Sequence, residues 1–129
     1  MTIPIQGSVP TLTEESPTAI VDVWGLLAPV GQGEAASKRN DRTVVLIKTD
    51  DLCVIFRSLS EGGALPTHEA DGPITVQVLD GHIEFKTGGR TIPLRKGELL
   101  GLRARVPHSL MALKQSSILI TGTAGVRST

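Results

Sequence analysis

The sequence has one cysteine, one tryptophan, two phenylalanines and no tyrosine, and its charges cancel, thirteen Lys plus Arg against thirteen Asp plus Glu. Each shortage closes off a class of chemistry. A lone cysteine can form no internal disulfide and no thiolate zinc site. Cys53, inside the run Leu52-Cys53-Val54-Ile55-Phe56, reads as a small buried hydrophobe. Balanced charge supplies no field to draw the chain onto phosphate polymers or an anionic membrane surface. Trp24, Phe56 and Phe85 are the whole aromatic complement, too little for base stacking or a sugar platform. No nucleic-acid or membrane partner is therefore expected, and any ligand pocket must be mostly aliphatic. The sequence holds no apolar run near the ~20 residues that span a bilayer, and Met1 to Pro10 has neither a basic start nor a continuous apolar stretch. A cytoplasmic location is the resulting expectation.

What is present points to one all-β domain. A chain of 129 residues suits a single core that buries roughly two-thirds of the surface its unfolded form exposes. Residues 1–19 carry Pro4, Pro10 and Pro17 among Thr and Ser, a composition that favours an extended arm. The stretch 20–27 is open between a strand and a short helix, with Thr18 or Asp22 as the cap of the helical alternative. From Pro29 to Arg42 glycines and the run Lys38-Arg39-Asn40-Asp41-Arg42 read as a solvated loop. The domain organisation expected is thus an arm and loop over 1–42 and a barrel over 43–129.

Beyond Arg42, β-branched segments at 43–49, 52–59, 73–79, 82–87, 90–94, 98–103, 107–113 and 117–122 are separated by turn residues. Asp50-Asp51, Asp80-Gly81, Gly88-Gly89 and Lys96-Gly97 tolerate the left-handed backbone of tight turns, and hairpins are expected there. Ile74, Val76 and Val78 make one apolar face of a strand, and Ile83 and Phe85 repeat the pattern. Such strands bury one face each in a double sheet or closed barrel. An immunoglobulin-like sandwich has a similar strand count, but one cysteine cannot make its disulfide.

The most informative stretch runs from Gly62 through His68 to Gly81, followed by Gly97 through Pro107-His108 to Leu110. These two segments resemble the paired motifs of the cupin superfamily, a glycine leading after five residues to a His-x-His pair, a Glu and a closing glycine, then a second strand ending in a His. The resemblance implies an all-β cupin-type double-stranded β-helix, an RmlC-like jelly-roll barrel, here with an extended N-terminal arm. It also implies a divalent transition metal (Fe, Mn, Ni or Zn) held by three imidazoles and a carboxylate, with His68 and His108 as the matching ligands.

The sequence departs from that set at two positions. Ala70 stands where the second His of the pair belongs, and Ile74 where the Glu belongs. Helpers in sequence reach are Glu69, Asp71 and Gln77, although Glu69 and Gln77 are offset by one residue and an odd shift turns a side chain to the other face. His82, at a strand end, is expected to meet solvent. The reading that follows is a barrel binding a small organic molecule in a non-catalytic or sensing role, its pocket formed by His68, His108, Ile74, Val76, Leu110 and Phe56, with Phe85 as an alternative wall. The alternative is a metal-dependent enzyme, dioxygenase or lyase-like, using His68 and His108. Metal-free isomerase chemistry lacks a tyrosine acid, and Ser109 beside His108 is sequence adjacency rather than a nucleophile and its base. Cupins commonly pair through their barrels, so a homodimer is expected, with the arm and the apolar 43–48 run as its interface.

Overall fold

The β-branched stretches after Arg42 pair into two antiparallel sheets. The computed structural model describes residues 11–27 and 41–123. In chain order the elements are α1 (Val23–Leu26), β1 (Arg42–Lys48), β2 (Leu52–Leu59), β3 (Ala64–His68), β4 (Ile74–Asp80), β5 (His82–Thr87), β6 (Arg90–Arg95), β7 (Leu99–Leu102), β8 (His108–Ala112) and β9 (Ser116–Thr123). One sheet has the order β1-β2-β9-β4-β7 and the other β3-β8-β5-β6. Each expected strand segment is recovered within a residue or two at its ends. β3 is an additional strand that the sequence reading passed over, and it carries His68.

Hairpins form at two of the expected turns. Residues around Asp50-Asp51 join the paired β1 and β2, and Gly88-Gly89 joins the paired β5 and β6. The other two expectations are corrected. Asp80-Gly81 passes the chain from β4 in the first sheet to β5 in the second, and Lys96-Gly97 returns it from β6 to β7. Positive φ at Gly81 and Gly97 fits both roles, because a glycine permits the reversal without specifying which strand receives the chain.

The principal core lies between the sheets. Ile55, Val76, Val78 and Ile118 face inward from the first sheet, and Leu65, Ile83, Phe85, Leu110 and Ala112 from the second. Alternation along β4 and β5 follows the expected faces. The first sheet is also covered on its outer side, where Leu26, Val44, Leu46, Phe56 and Leu79 form a second cluster. α1 supplies Leu26 to that cover. Its cap is Asp22, whose Oδ1 accepts from the Gly25 N–H at 3.1 Å, so the helical alternative for this stretch holds and Asp22 rather than Thr18 is its cap. Arg42 ties the helix to β1 by donating from Nη2 to the Leu26 carbonyl at 2.6 Å, with its guanidinium over the Phe56 ring.

The outward side chains of the 43–48 run, Val44 and Leu46, are therefore buried within the chain itself. That part of the surface proposed for pairing of two copies is already occupied. Of the arm, Thr11 makes an isolated parallel bridge to Lys48, and the residues between it and α1 form no strand or helix. The expected loop from Pro29 lies outside the described residues up to Asn40. No helix among the described residues is long and apolar enough to cross a membrane.

Candidate functional site

His68 and His108 meet because of an irregularity in the pairing of two strands. Leu65 pairs with Leu110 and His68 with His108, so three steps along β3 match two along β8. Strict alternation from the inward Leu65 would point Thr67 into the barrel and His68 away from it. The extra residue reverses that parity and turns His68 inward. Pro66 sits inside this short strand, which is tolerable because β3 is an edge and needs no donor on its open side.

The two imidazoles are direct cross-strand neighbours, with ring centroids 4.4 Å apart and planes tilted by 58°. Each ring is oriented by a backbone carbonyl two residues upstream. His68 Nδ1 lies 3.0 Å from the Pro66 carbonyl oxygen, and His108 Nδ1 lies 2.8 Å from the Val106 carbonyl oxygen. A carbonyl oxygen only accepts, so in both rings Nδ1–H donates and, in the neutral form, Nε2 carries the lone pair. Phe85 stacks on His108 at 5.5 Å with nearly parallel planes. Thr87, opposite His108, donates from Oγ1 to the Pro107 carbonyl at 2.9 Å and braces the chain entering β8. Burial pushes the His108 imidazole below its ordinary value near 6.5, the hydrogen bond to Val106 opposes this, and the neighbouring His68 charge adds to it.

The remaining candidates separate into two groups. Ile74, Val76 and Leu110 are buried in the principal core with Phe85, on the inner faces that the histidines share. Phe56 is a correction. It points to the outer side of the first sheet, in the cluster beneath α1, because β2 is buried on both faces and hydrophobicity alone does not say which face a residue takes. His82 is a second correction: it is only partly exposed, and its Nε2 is buried without a hydrogen-bond partner among the described residues. Its backbone N–H donates to Ser116 Oγ at 3.0 Å, which holds it at the crossing between sheets, away from the pair. Cys53 is buried as expected.

A four-ligand metal set does not fit these residues. Ala70 and Ile74 are buried apolar members of the core at the two positions where donors are missing. Gln77 donates from Nε2 to the Gly97 carbonyl, and Glu69 and Asp71 are exposed. Among the described residues no three His, Cys, Asp or Glu side chains are grouped to share an ion. One further residue at the site went unnoticed in the sequence. Arg105 adopts φ of 60°, the only positive value among the described non-glycine residues, and its N–H donates to the Ala70 carbonyl at 2.8 Å. That bond closes the segment before β8 over the segment after β3. An arginine carries no sequence signal for such a backbone, so nothing in the residue type marks it.

No family profile matches this sequence, and no curated protein does either. Solved structures do. A cupin superfamily protein from Desulfitobacterium hafniense superposes with a TM-score of 0.69 over 92% of this chain and 99% of its own, at 15% identity. The chain has the cupin fold. An RmlC-like cupin from Desulfovibrio desulfuricans, 23% identical, covers 68% of this chain and 85% of its own with a TM-score of 0.60. KdgF from a Halomonas species, 19% identical, covers 70% and 83%, also with a TM-score of 0.60. A salicylate 1,2-dioxygenase from Pseudaminobacter salicylatoxidans is 27% identical over 57% of this chain, which corresponds to only 21% of that enzyme, with a TM-score of 0.55. The cupin architecture is thus common to proteins of different activity, and the activity of this chain has to be read from its own site.

Proposed function

We propose that this protein binds a small organic molecule inside its barrel, oriented by His68 and His108, in a binding or sensing role. The observation that carries the reading is the pair of carbonyl-anchored imidazoles in a barrel where Ala70 and Ile74 are buried apolar core residues. A polar end held by two rings within an aliphatic shell is the usual composition of a small-molecule site. Screening a chemically broad set of small molecules by ligand-observed NMR tests this directly. Binders whose affinity falls at least tenfold in His68→Phe are expected, and a screen without a single histidine-dependent binder would remove the proposal.

The alternative, a metal-dependent enzyme of dioxygenase or lyase type, is favoured by one feature: Nδ1 of each ring is engaged by a backbone carbonyl, the arrangement in which an imidazole ligates a metal through Nε2. It would need donors beyond the described side chains. Elemental analysis after reconstitution with Fe, Mn, Ni or Zn distinguishes the two. Less than a tenth of an equivalent of metal is expected, and a stoichiometric ion would favour the enzyme.

A further inference from the structure

We infer that Arg57 is a binding site for a small carboxylate, a site independent of the histidine pair. Its strand fixes where it points. Cys53, Ile55 and Leu59 lie in the core between the sheets, whereas Phe56 lies in the cluster under α1 and Val54 packs against it. β2 pairs with β9 from Leu52 to Leu59 without a shift in register, so alternation is unbroken and Arg57 takes the inner side with its odd-numbered neighbours. Its cross-strand neighbours on that side are Thr43 on β1 and the buried Ile118 on β9.

A guanidinium stays charged at any pH a folded protein meets, and this one pairs with no carboxylate among the described residues. Nη1 donates to the Thr43 hydroxyl, a neutral acceptor. Nε is buried and has no hydrogen-bond partner. Asp41, the acidic residue beside this end of β1, has Oδ1 on the Ser60 N–H and Oδ2 on the Ser60 hydroxyl. A buried charged donor is stable when paired, and one left unmet carries a larger desolvation penalty than a neutral group does. The partner that suits it is an anion.

The donors left over set the form of that anion. With Nη1 on Thr43, the remaining edge of the guanidinium is Nε–H beside Nη2–H, two parallel donors spaced for the two oxygens of one carboxylate. A single positive charge balances a monoanion and leaves a dianion such as phosphate uncompensated. Val45, Ile55, Leu59 and Ile118 on the same inner faces are aliphatic, so the body attached to the carboxylate is apolar. Entry is from the flank of the barrel. The order β2-β9-β4-β7 in the first sheet matches β3-β8-β5-β6 in the second, to which the chain joins those strands one by one, and β1 has no counterpart among the described residues. Thr43 lies on that extra strand, and Arg57 beside it is partly exposed. Nε itself is shielded from solvent, so binding turns this edge of the guanidinium outward.

The test uses the full chain with cyclohexanecarboxylate, its neutral shape match cyclohexylmethanol, cyclohexylammonium and inorganic phosphate as probes. Calorimetry gives affinities, and 1H–15N spectra of the arginine side chains report Nε–H directly, the Arg57 signal being assigned by its loss in Arg57→Met or Arg57→Lys. The carboxylate is expected to shift that signal downfield and to bind at least about tenfold more tightly than the alcohol, with the ammonium not binding. Arg57→Met keeps an unbranched apolar stem and is expected to abolish the preference; where it fails to fold, the Nε–H shift in the unsubstituted chain decides. If the alcohol binds as tightly as the carboxylate, or phosphate more tightly than either, the carboxylate assignment is overturned. If the carboxylate moves the imidazoles of His68 and His108 and leaves Arg57 unmoved, the inference falls and the histidine reading stands. If no probe moves the Arg57 Nε–H, the inference is wrong whatever the histidines do.

Discussion

Arg105 shows how a single backbone angle bears on the site. A side chain at φ of 60° carries a steric cost of roughly 1–2 kcal/mol that glycine avoids, against which glycine loses about 0.5–1 kcal/mol of chain entropy. Arg105→Gly is accordingly expected to raise the unfolding free energy by about 0.5–1 kcal/mol, measured by urea denaturation, with the Ala70 carbonyl bond kept because it uses the backbone N–H. A destabilised variant would mean that the guanidinium makes contacts outweighing the strain. At this scale the sequence was half legible. His68 and His108 stood out by their spacing, and they do meet. Arg105 did not, because sign of φ is not written in residue type except at glycine. Phe56 was assigned the wrong face, since Cys53, Ile55 and Phe56 are all buried in β2 and periodicity cannot sort a strand that is covered on both sides.

At the scale of elements, glycines divide by what surrounds them. A Cβ added to Gly81, at φ of +104°, would stand 2.6 Å from both the Gln115 carbonyl and the Ser116 Cα, which are backbone and cannot swing aside. One added to Gly88, at φ of +56°, meets nothing within 4 Å. Gly81→Ala is therefore expected to cost ~3 kcal/mol or prevent folding, and Gly88→Ala only about 1 kcal/mol. Equal melting shifts for the two would contradict the packing at the sheet crossing. These same glycines explain which connections were readable. A turn signal marks where the chain reverses, and β1–β2 and β5–β6 close as local hairpins. Whether the next strand joins the same sheet depends on partners far along the chain, such as β9 between β2 and β4, and no local signal encodes that. β3 escaped notice for a related reason: five residues containing Pro66 and following Gly62-Gly63 look like loop, and become a strand only beside β8.

For the whole molecule, the first sheet is shared by two hydrophobic clusters, one between the sheets and one under α1. Sharing a sheet couples them, so loss of either should unfold both together. Phe56→Ala, at a side chain with no exposed area, is expected to remove about 3–5 kcal/mol. Circular dichroism, reporting the strands, and fluorescence of Trp24 in α1 should still give one coincident guanidinium transition. Separate midpoints would show that the helix-covered cluster melts alone. The histidines lie outside this arrangement, since β3 and β8 both belong to the second sheet while Ile74 and Val76 belong to the first. The spacing of the two rings is thus set within one hydrogen-bonded ladder, whereas Ile74 and Val76 stand on the opposite sheet. On the proposed binding reading, polar recognition and size selection are consequently separate settings: enlarging or shrinking side chains at 74 and 76 would retune what fits without disturbing how its head is gripped.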